Sequence, residues 1–316
     1  MAAEVETMFS VRERPWHGLG VILDDAPPTW QEAYKMAGLD WGVKKQDVFR
    51  YHEVALDDTM MYEQLVNYST IIRSDNNESL GIVGAGYQPV QNAEMFQFFD
   101  EYIKTGLVEY NTAGSLKDGR IVWVLAKMIY GSTRIVGDDV VDHYLLLSNS
   151  HDGTRRVSIS MTPIRVVCWN TLNMSDASHA ARITFKHTKG VIARTQDTMD
   201  ILANLSFEFE KTADLYRALA AKNVKSQASL NEFLMELFPG DGVRRTNQRE
   251  NVMELFETGA GADLPGVRDT WWGAYNAVTE YIDHDRGTDA EKRLISTWFG
   301  QGASIKATAL ALATGM

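Results

Sequence analysis

The sequence predicts an α+β fold, a twisted antiparallel strand meander with packed helices followed by a helical C-terminal region. Three observations carry that expectation. The middle of the chain alternates apolar and polar residues between tight-turn triplets. From Gly190 onward the apolar residues recur at helical spacing instead. The first third mixes both patterns, so strands and helices interleave before the chain turns wholly helical. At 316 residues with 45% hydrophobic and 23% charged content, the chain can bury one large core or two modest ones. We expect an α+β core over 1–189 and a helical region over 190–316 packed on it.

The elements follow in order. Thr29 is placed to cap a short helix over "TWQEAYKMAG" that Gly38 stops, and a strand is expected from Trp41. "YSTIIRSDNNESLGIVG" reads as two strands joined across Asp75, Asn76 and Asn77. "QNAEMFQFFDEYIKTG" puts Met95, Phe98, Phe99 and Tyr102 on one helical stripe, with Gly106 as the stop. Lys117-Asp118-Gly119 and His151-Asp152-Gly153 each separate two strand-like runs, the pattern of hairpins. Thr162-Pro163 resembles an N-cap followed by a proline at the first helical position, so "PIRVVCWNTLNM" is expected to be a helix, with a strand as the alternative given its β-branched content. "DTMDILANLSFEFEKTADLYRALAAK" is a long amphipathic helix with Met199, Leu202, Leu205, Phe209 and Tyr216 near one face. Further helices are expected in "SLNEFLMELF", "DTWWGAYNAVTEYIDH" and "EKRLISTWFGQGASIKATALALA".

No apolar run approaches the roughly 20 residues that span a bilayer, and no basic segment followed by an apolar stretch opens the chain. With a single cysteine there is no intrachain disulfide framework, and a cytoplasmic location is expected, in the host cell if the chain is phage-encoded. The net charge of −11 is unevenly spread. Residues 1–116 carry 8 Lys/Arg against 18 Asp/Glu, residues 117–194 carry 11 against 6, and residues 195–316 carry 12 against 18. Only the middle is net positive, which points to a local anionic partner.

Cys168 is the single cysteine, and a helix from Pro163 would set Ile164, Val167, Cys168 and Leu172 on one stripe. A small buried hydrophobe is favoured there over a nucleophile, which needs a positioned base, and over a zinc ligand, which needs companions. The opposite face would align Arg165, Trp169 and Asn173, able to hold a phosphate, stack a base and bond an edge. Downstream, "ARITFKHTKGVIAR" interleaves Arg182, Lys186, Lys189 and Arg194 with Phe185, with no acid from 177 to 196. If "RITFKHT" is extended, Arg182, Thr184, Lys186 and Thr188 point one way and make a basic edge. Arg155 and Arg156 precede this stretch.

Other motifs carry less. "GIVGAGYQPVQN" has Gly84-x-Gly86 after an apolar strand, but Pro89 stands where a dinucleotide loop needs its third glycine, so no nucleotide cofactor is expected from it. No Walker, G-x-S-x-G or H-E-x-x-H motif occurs, and no cofactor is expected. Glu280, Asp283 and His284 in "TEYIDHD" could begin a divalent-metal site, or could form the solvated end of a helix. Arg244, Arg245 and Arg249 form a second basic spot, read as a solvated helix face.

Taken together, "RPWHGLG", "AGLDWGVKK", "GIVGAGYQPVQNAEMFQFFD", "TAGSLKDGRIVWVLAKM", "PIRVVCWNTLNM", "ITFKHTKGV", "WWGAYNAVTEYIDH" and "RLISTWFGQGASIKATALALA" resemble a phage- and plasmid-borne family known as domain of unknown function 932. The likeness runs along nearly the whole chain. It implies a mobile-element origin and supplies no catalytic residues. The order of elements is also similar to the fold of phage single-strand annealing proteins, a likeness of architecture without a shared motif. The resulting expectation is a non-enzymatic, homo-oligomeric protein that binds or anneals single-stranded DNA in recombination and makes no membrane contact. Arg155, Arg156, Arg165, Trp169, Arg182, Lys186, Lys189 and Arg194 would track the strand. The alternatives are a metal-dependent nucleic-acid enzyme using Glu280, Asp283 and His284, and a counter-defence protein that binds a host protein through Trp271, Trp272 and Trp298.

Overall fold

The computed structural model describes residues 8–12, 21–25, 29–54, 59–167, 170–171, 182–191, 193 and 199–315. Its larger sheet is built from β1 (Met8–Val11), β2 (Val21–Leu23), β6 (Val108–Leu116), β7 (Ile121–Val136), β8 (Asp139–Ser150), β9 (Val157–Arg165), β10 (Asn170–Thr171) and β11 (Arg182–Phe185). The order is β10-β9-β8-β7-β6-β1-β2, with β11 also paired to β9, and only β1 and β2 run parallel. Turn chemistry makes the central meander. Lys117, Asp118 and Gly119 all adopt positive φ (54°, 57° and 88°), so three successive residues in the left-handed region reverse the chain between β6 and β7. At Gly119 a Cβ would stand 2.8 Å from the Trp41 ring, which closes the underside of that turn.

The sheet is covered on both sides. One face presents Ala113, Val122, Val124, Leu145, Leu147, Ile159 and Met161 to the main core. Onto it pack α1 (Trp30–Met36), α2 (Asn92–Lys104), α3 (Met199–Ala220) and α6 (Trp271–Glu280). The expected stripe on α2 is buried at Met95, Phe98, Phe99 and Tyr102, and Phe96 joins it. Gln91 and Glu94 cap that helix reciprocally. The other face carries Trp123, Leu125, Tyr144, Leu146 and Ile164 in a smaller core. That core is closed by Leu294 and Trp298 of α7 (Ala290–Phe299), and Trp298 meets Trp123 edge-on at 4.9 Å. The C-terminal region adds α4 (Gln227–Leu237), α5 (Val243–Thr258), one π-helical turn (Tyr281–Asp285) directly after α6, and α8 (Gln301–Gly315). Among the described residues no helix is long and apolar enough to cross a membrane. The strand meander followed by helices is the α+β arrangement expected.

A second sheet joins β3 (Val43–Val54), β4 (Thr59–Arg73) and β5 (Ser79–Gly84). Because β5 pairs β4 only from Tyr68 to Ile72, the outer parts of β3 and β4 run on as a two-stranded ribbon. One face of the ribbon pairs Tyr51 with Tyr62, their rings 6.1 Å apart, beside Phe49, and all three side chains are exposed.

The expected helix at Pro163 is overturned. Residues 157–165 are strand β9, residues 166–167 turn, and Asn170–Thr171 return as β10. The reason is tertiary. Proline lacks the N–H a central strand needs, but β11 pairs β9 only at 157–160 and β10 only at 164–165. Pro163 therefore has a strand neighbour only on β8, opposite His143, and the gap between β10 and β11 accommodates it. Strand geometry also breaks the proposed helical stripe, since Ile164 is buried while Val167 is 42% exposed. Cys168, Leu172 and Asn173 lie outside the described residues.

Candidate nucleic-acid interface

The antiparallel pairing of β11 to β9 brings two basic segments together. Phe185 stands opposite Val157, so Arg156 and Lys186 flank the last rung, and Arg182 stands opposite Ser160. Arg182 and Thr184 are exposed and share a face, while Ile183 and Phe185 turn inward, the alternation expected of an extended "RITF". Arg182 donates to Ser158 Oγ at 3.2 Å. Burial and then the neighbouring Arg155 charge push the Arg182 pKa down. Arg155 lies over the Phe299 ring at 4.9 Å and donates to the Phe299 carbonyl. Among the described residues no ion pair joins Arg155, Arg156 or Arg182 to a carboxylate.

The segment after β11 is fixed by the loop after β5. His187 stacks on Tyr87 at 4.4 Å, its Nδ1 faces the Gln88 carbonyl at 3.1 Å, and Gln88 N–H donates to the His187 carbonyl. Tyr87 in turn donates to the Ser150 carbonyl at 2.7 Å. Lys186 and Lys189 therefore project from a held backbone. Next to this lies His151, buried, with Nε2 at 2.8 Å from Asn92 Oδ1. Asn92 Nδ2 donates to the Leu39 and Trp41 carbonyls, which leaves its oxygen for His151 and puts the histidine proton on Nε2. Burial, with the His187 and Arg73 charges, drives the His151 pKa down to about 3. His187 is shifted the same way by burial.

Of the sequence-predicted strand-binding residues, Arg155, Arg156, Arg182, Lys186 and Lys189 lie on this edge. Trp169 and Arg194 lie outside the described residues. Arg165 is elsewhere and is 1% exposed. Its Nε bonds both oxygens of Asp139 at 2.8 and 2.9 Å, and its other nitrogens donate to the Ala260 and Gly261 carbonyls at 2.9 and 3.2 Å. Trp272 Nε1 completes Asp139 at 2.7 Å. Gly261 is required there, with φ +70° and no room for a Cβ, which would lie 2.7 Å from Val167. The face shared by Arg165 and Trp169 on a helix does not exist, because Arg165 ends a strand whose odd positions face the main core.

Glu280, Asp283 and His284 are likewise separated. Glu280 accepts from Ala260 N–H, and burial raises its pKa. His284 Nε2 bonds Asn170 Oδ1 at 3.0 Å. Asp283 is turned inward on the π-helical turn, where it accepts from Thr171 N–H at 2.7 Å and from Lys306 Nζ at 2.9 Å. The position a divalent cation would take beside Asp283 is filled by an ammonium. Among the described residues no group of three or more His, Cys, Asp or Glu could hold a metal ion. The three tryptophans offered as a protein-binding surface are core residues, with Trp271, Trp272 and Trp298 all buried.

Sequence reasoning missed the Asp283–Lys306–Thr171 centre. Lys306 is 1% exposed and also donates to the Thr171 carbonyl at 2.9 Å, and burial lowers its pKa against the pull of Asp283. The available signal was a lone cation inside the small, apolar run "GASIKATALALA".

No curated protein and no solved structure matches the chain. The family model for a domain of unknown function, DUF932, matches residues 79–298, from β5 through most of α7. The strand meander, the basic edge and the buried Arg165 centre fall within that span, as do Thr171 and Asp283 but not Lys306, and the chain belongs to the DUF932 family.

Proposed function

We propose that the protein binds single-stranded DNA along the β9–β11 edge, as a phage or plasmid protein that holds strands for annealing in recombination. The observation that carries this reading is the gathering of Arg155, Arg156, Arg182, Lys186 and Lys189 on one sheet edge, with Arg155 and Arg182 adjacent and without a carboxylate partner. Like charges held together at a surface favour a polyanion, whose binding releases counterions. The segments on either side are net acidic, which weakens the long-range attraction of an extended polyanion to other parts of the chain. The mobile-element origin and the annealing role rest on the sequence resemblances alone. The protein works as a homo-oligomer in the cytoplasm, the exposed Phe49, Tyr51 and Tyr62 of the ribbon being the surface on which copies meet.

Fluorescence anisotropy with a labelled single-stranded oligonucleotide tests this. A strand contacting all these cations would lose about a hundredfold in affinity between about 50 and 200 mM salt. Lys186→Glu/Lys189→Glu is expected to weaken binding at least tenfold, on the order of two lost phosphate contacts, and to flatten the salt slope. Absence of binding at low salt, or unchanged binding by the variant, defeats the reading. Light scattering on wild type and Tyr62→Glu reads the association of copies in the same preparations.

A further inference from the structure

The basic spot at the start of α5, which the nucleic-acid reading leaves unused, opens onto a cavity of about 340 Å³. The cavity lies between the first turn of α5, the loop after the π-helical turn and the first turns of α7. Arg244, Arg286, Lys292 and Arg293 line it, with Asp289 as the one acid. Asp289 is already engaged, accepting from Lys292 N–H at 3.0 Å as the cap of α7 and pairing with the Lys292 ammonium at 2.9 Å. Among the described residues Arg244, Arg286 and Arg293 form no ion pair with a carboxylate. Arg286 is oriented by Gln301 Oε1 and by Ser296 Oγ, which leaves the rest of its guanidinium edge available. Burial lowers its pKa, and the charges of Arg244 and Arg245 act in the same direction. The Nε of Arg293 is buried without a hydrogen-bond partner, an uncommon state for a charged donor.

We propose that this cavity binds a small polyphosphate anion, either free or as the polyphosphate tail of a nucleotide. Four cations against one carboxylate leave the lining at about +3. One phosphate group brings about −1.5 to −2, so a single phosphoryl group leaves positive charge uncompensated and two bring the site close to neutral. Guanidinium groups supply paired N–H donors matched to phosphate oxygens. The volume falls within the roughly 300–1,000 Å³ of small-molecule sites. Gly287 and Thr288 on the loop and Ser296 on α7 add no competing negative charge. The cavity is built from other elements than the β9–β11 edge, so the two sites stand or fall separately.

Isothermal titration calorimetry at constant ionic strength tests this on the full chain, with pyrophosphate, inorganic tripolyphosphate, ATP and a 5′-phosphorylated oligonucleotide as probes. Pyrophosphate and ATP are expected to bind, ATP no more tightly than inorganic tripolyphosphate if the anion alone is recognised and more tightly than it if a nucleotide is. Arg244→Gln and Arg293→Gln are each expected to weaken both about tenfold or more, the loss of a charge-assisted hydrogen-bonding group. Arg244 is exposed and its replacement leaves the packing intact, so it carries the test even if Arg293→Gln fails to fold. Lys186→Gln/Lys189→Gln is expected to leave pyrophosphate binding unchanged. Unchanged binding by Arg244→Gln, loss in the Lys186/Lys189 variant, or binding of the oligonucleotide alone would each overturn the proposal.

Discussion

Arg165→Met is expected to destabilise the protein by about 5 kcal/mol, the upper end of the range for breaking one side of a buried ion pair. The upper end applies because more than a charge pair is lost. Asp139, with a fully buried side chain, would keep its bond from Trp272 but lose the guanidinium that neutralises it. The Ala260 and Gly261 carbonyls would lose a donor as well. Arg165→Lys is expected to recover only part of the loss, since one ammonium cannot span a carboxylate and two carbonyls. Urea unfolding followed by tryptophan fluorescence checks this, Trp272 being a direct partner of Asp139. A near-neutral Arg165→Met with impaired oligonucleotide binding would return Arg165 to the interface and contradict its placement in the core.

A comparable loss is expected on acidification. Burial holds both His143 and His151 near pKa 3, against 6.5 for a free histidine, and at His143 this outweighs the pull of Asp142. In the unfolded chain both take up protons below about 6.5, while in the fold both stay neutral until about 3. The unfolded state thus binds more protons across that window, so stability is complete above pH 6.5 and falls as the pH drops toward 3. Each group contributes about 1.4 kcal/mol per pH unit. Together they are expected to cost about 5 kcal/mol by pH 4.5, a large part of a typical domain's stability. Neither has a good place for a second proton. His151 Nδ1 is buried without a partner, and His143 lies between Thr133 and Phe209. Urea titrations at several pH values read the slope directly. In a His143→Gln/His151→Gln variant the slope between pH 6.5 and 4.5 should largely disappear, whatever the variant's stability at neutral pH. An unchanged slope would mean that other groups govern the acid response.

What could be read in the sequence was local. The Lys117-Asp118-Gly119 hairpin needs only three residues able to adopt positive φ, and the α2 stripe needs only its own spacing. The basic edge was legible for the same reason, since alternation within "RITFKHT" decides which side chains face outward. What bound that edge to Arg155 and Arg156 was the register of β11 on β9, which no local pattern encodes. Pro163 misled because its tolerance depends on a gap between two other strands. Arg165 misled because its partner, Asp139, lies 26 residues away and its carbonyl acceptors 95 and 96 residues away. The cavity lined by Arg244 and Arg286 needed α5 and α7 to be brought together, and a cluster read along one helix gave no sign of it.

The Asp283–Lys306 contact also sets an order of events during synthesis. Lys306 bonds the carbonyl of Thr171 across 135 residues of chain. At about 5–20 residues per second, β10 is made roughly 7 to 27 s before its lysine exists. Asp283 arrives in between, and for that interval its carboxylate has Thr171 but no counter-charge. Vectorial folding can therefore complete the β6–β9 meander, whose contacts are sequential, long before it can seal β10 and the π-helical turn. A nascent chain stalled short of α8 would expose that unsealed edge to whatever holds or degrades unfinished proteins.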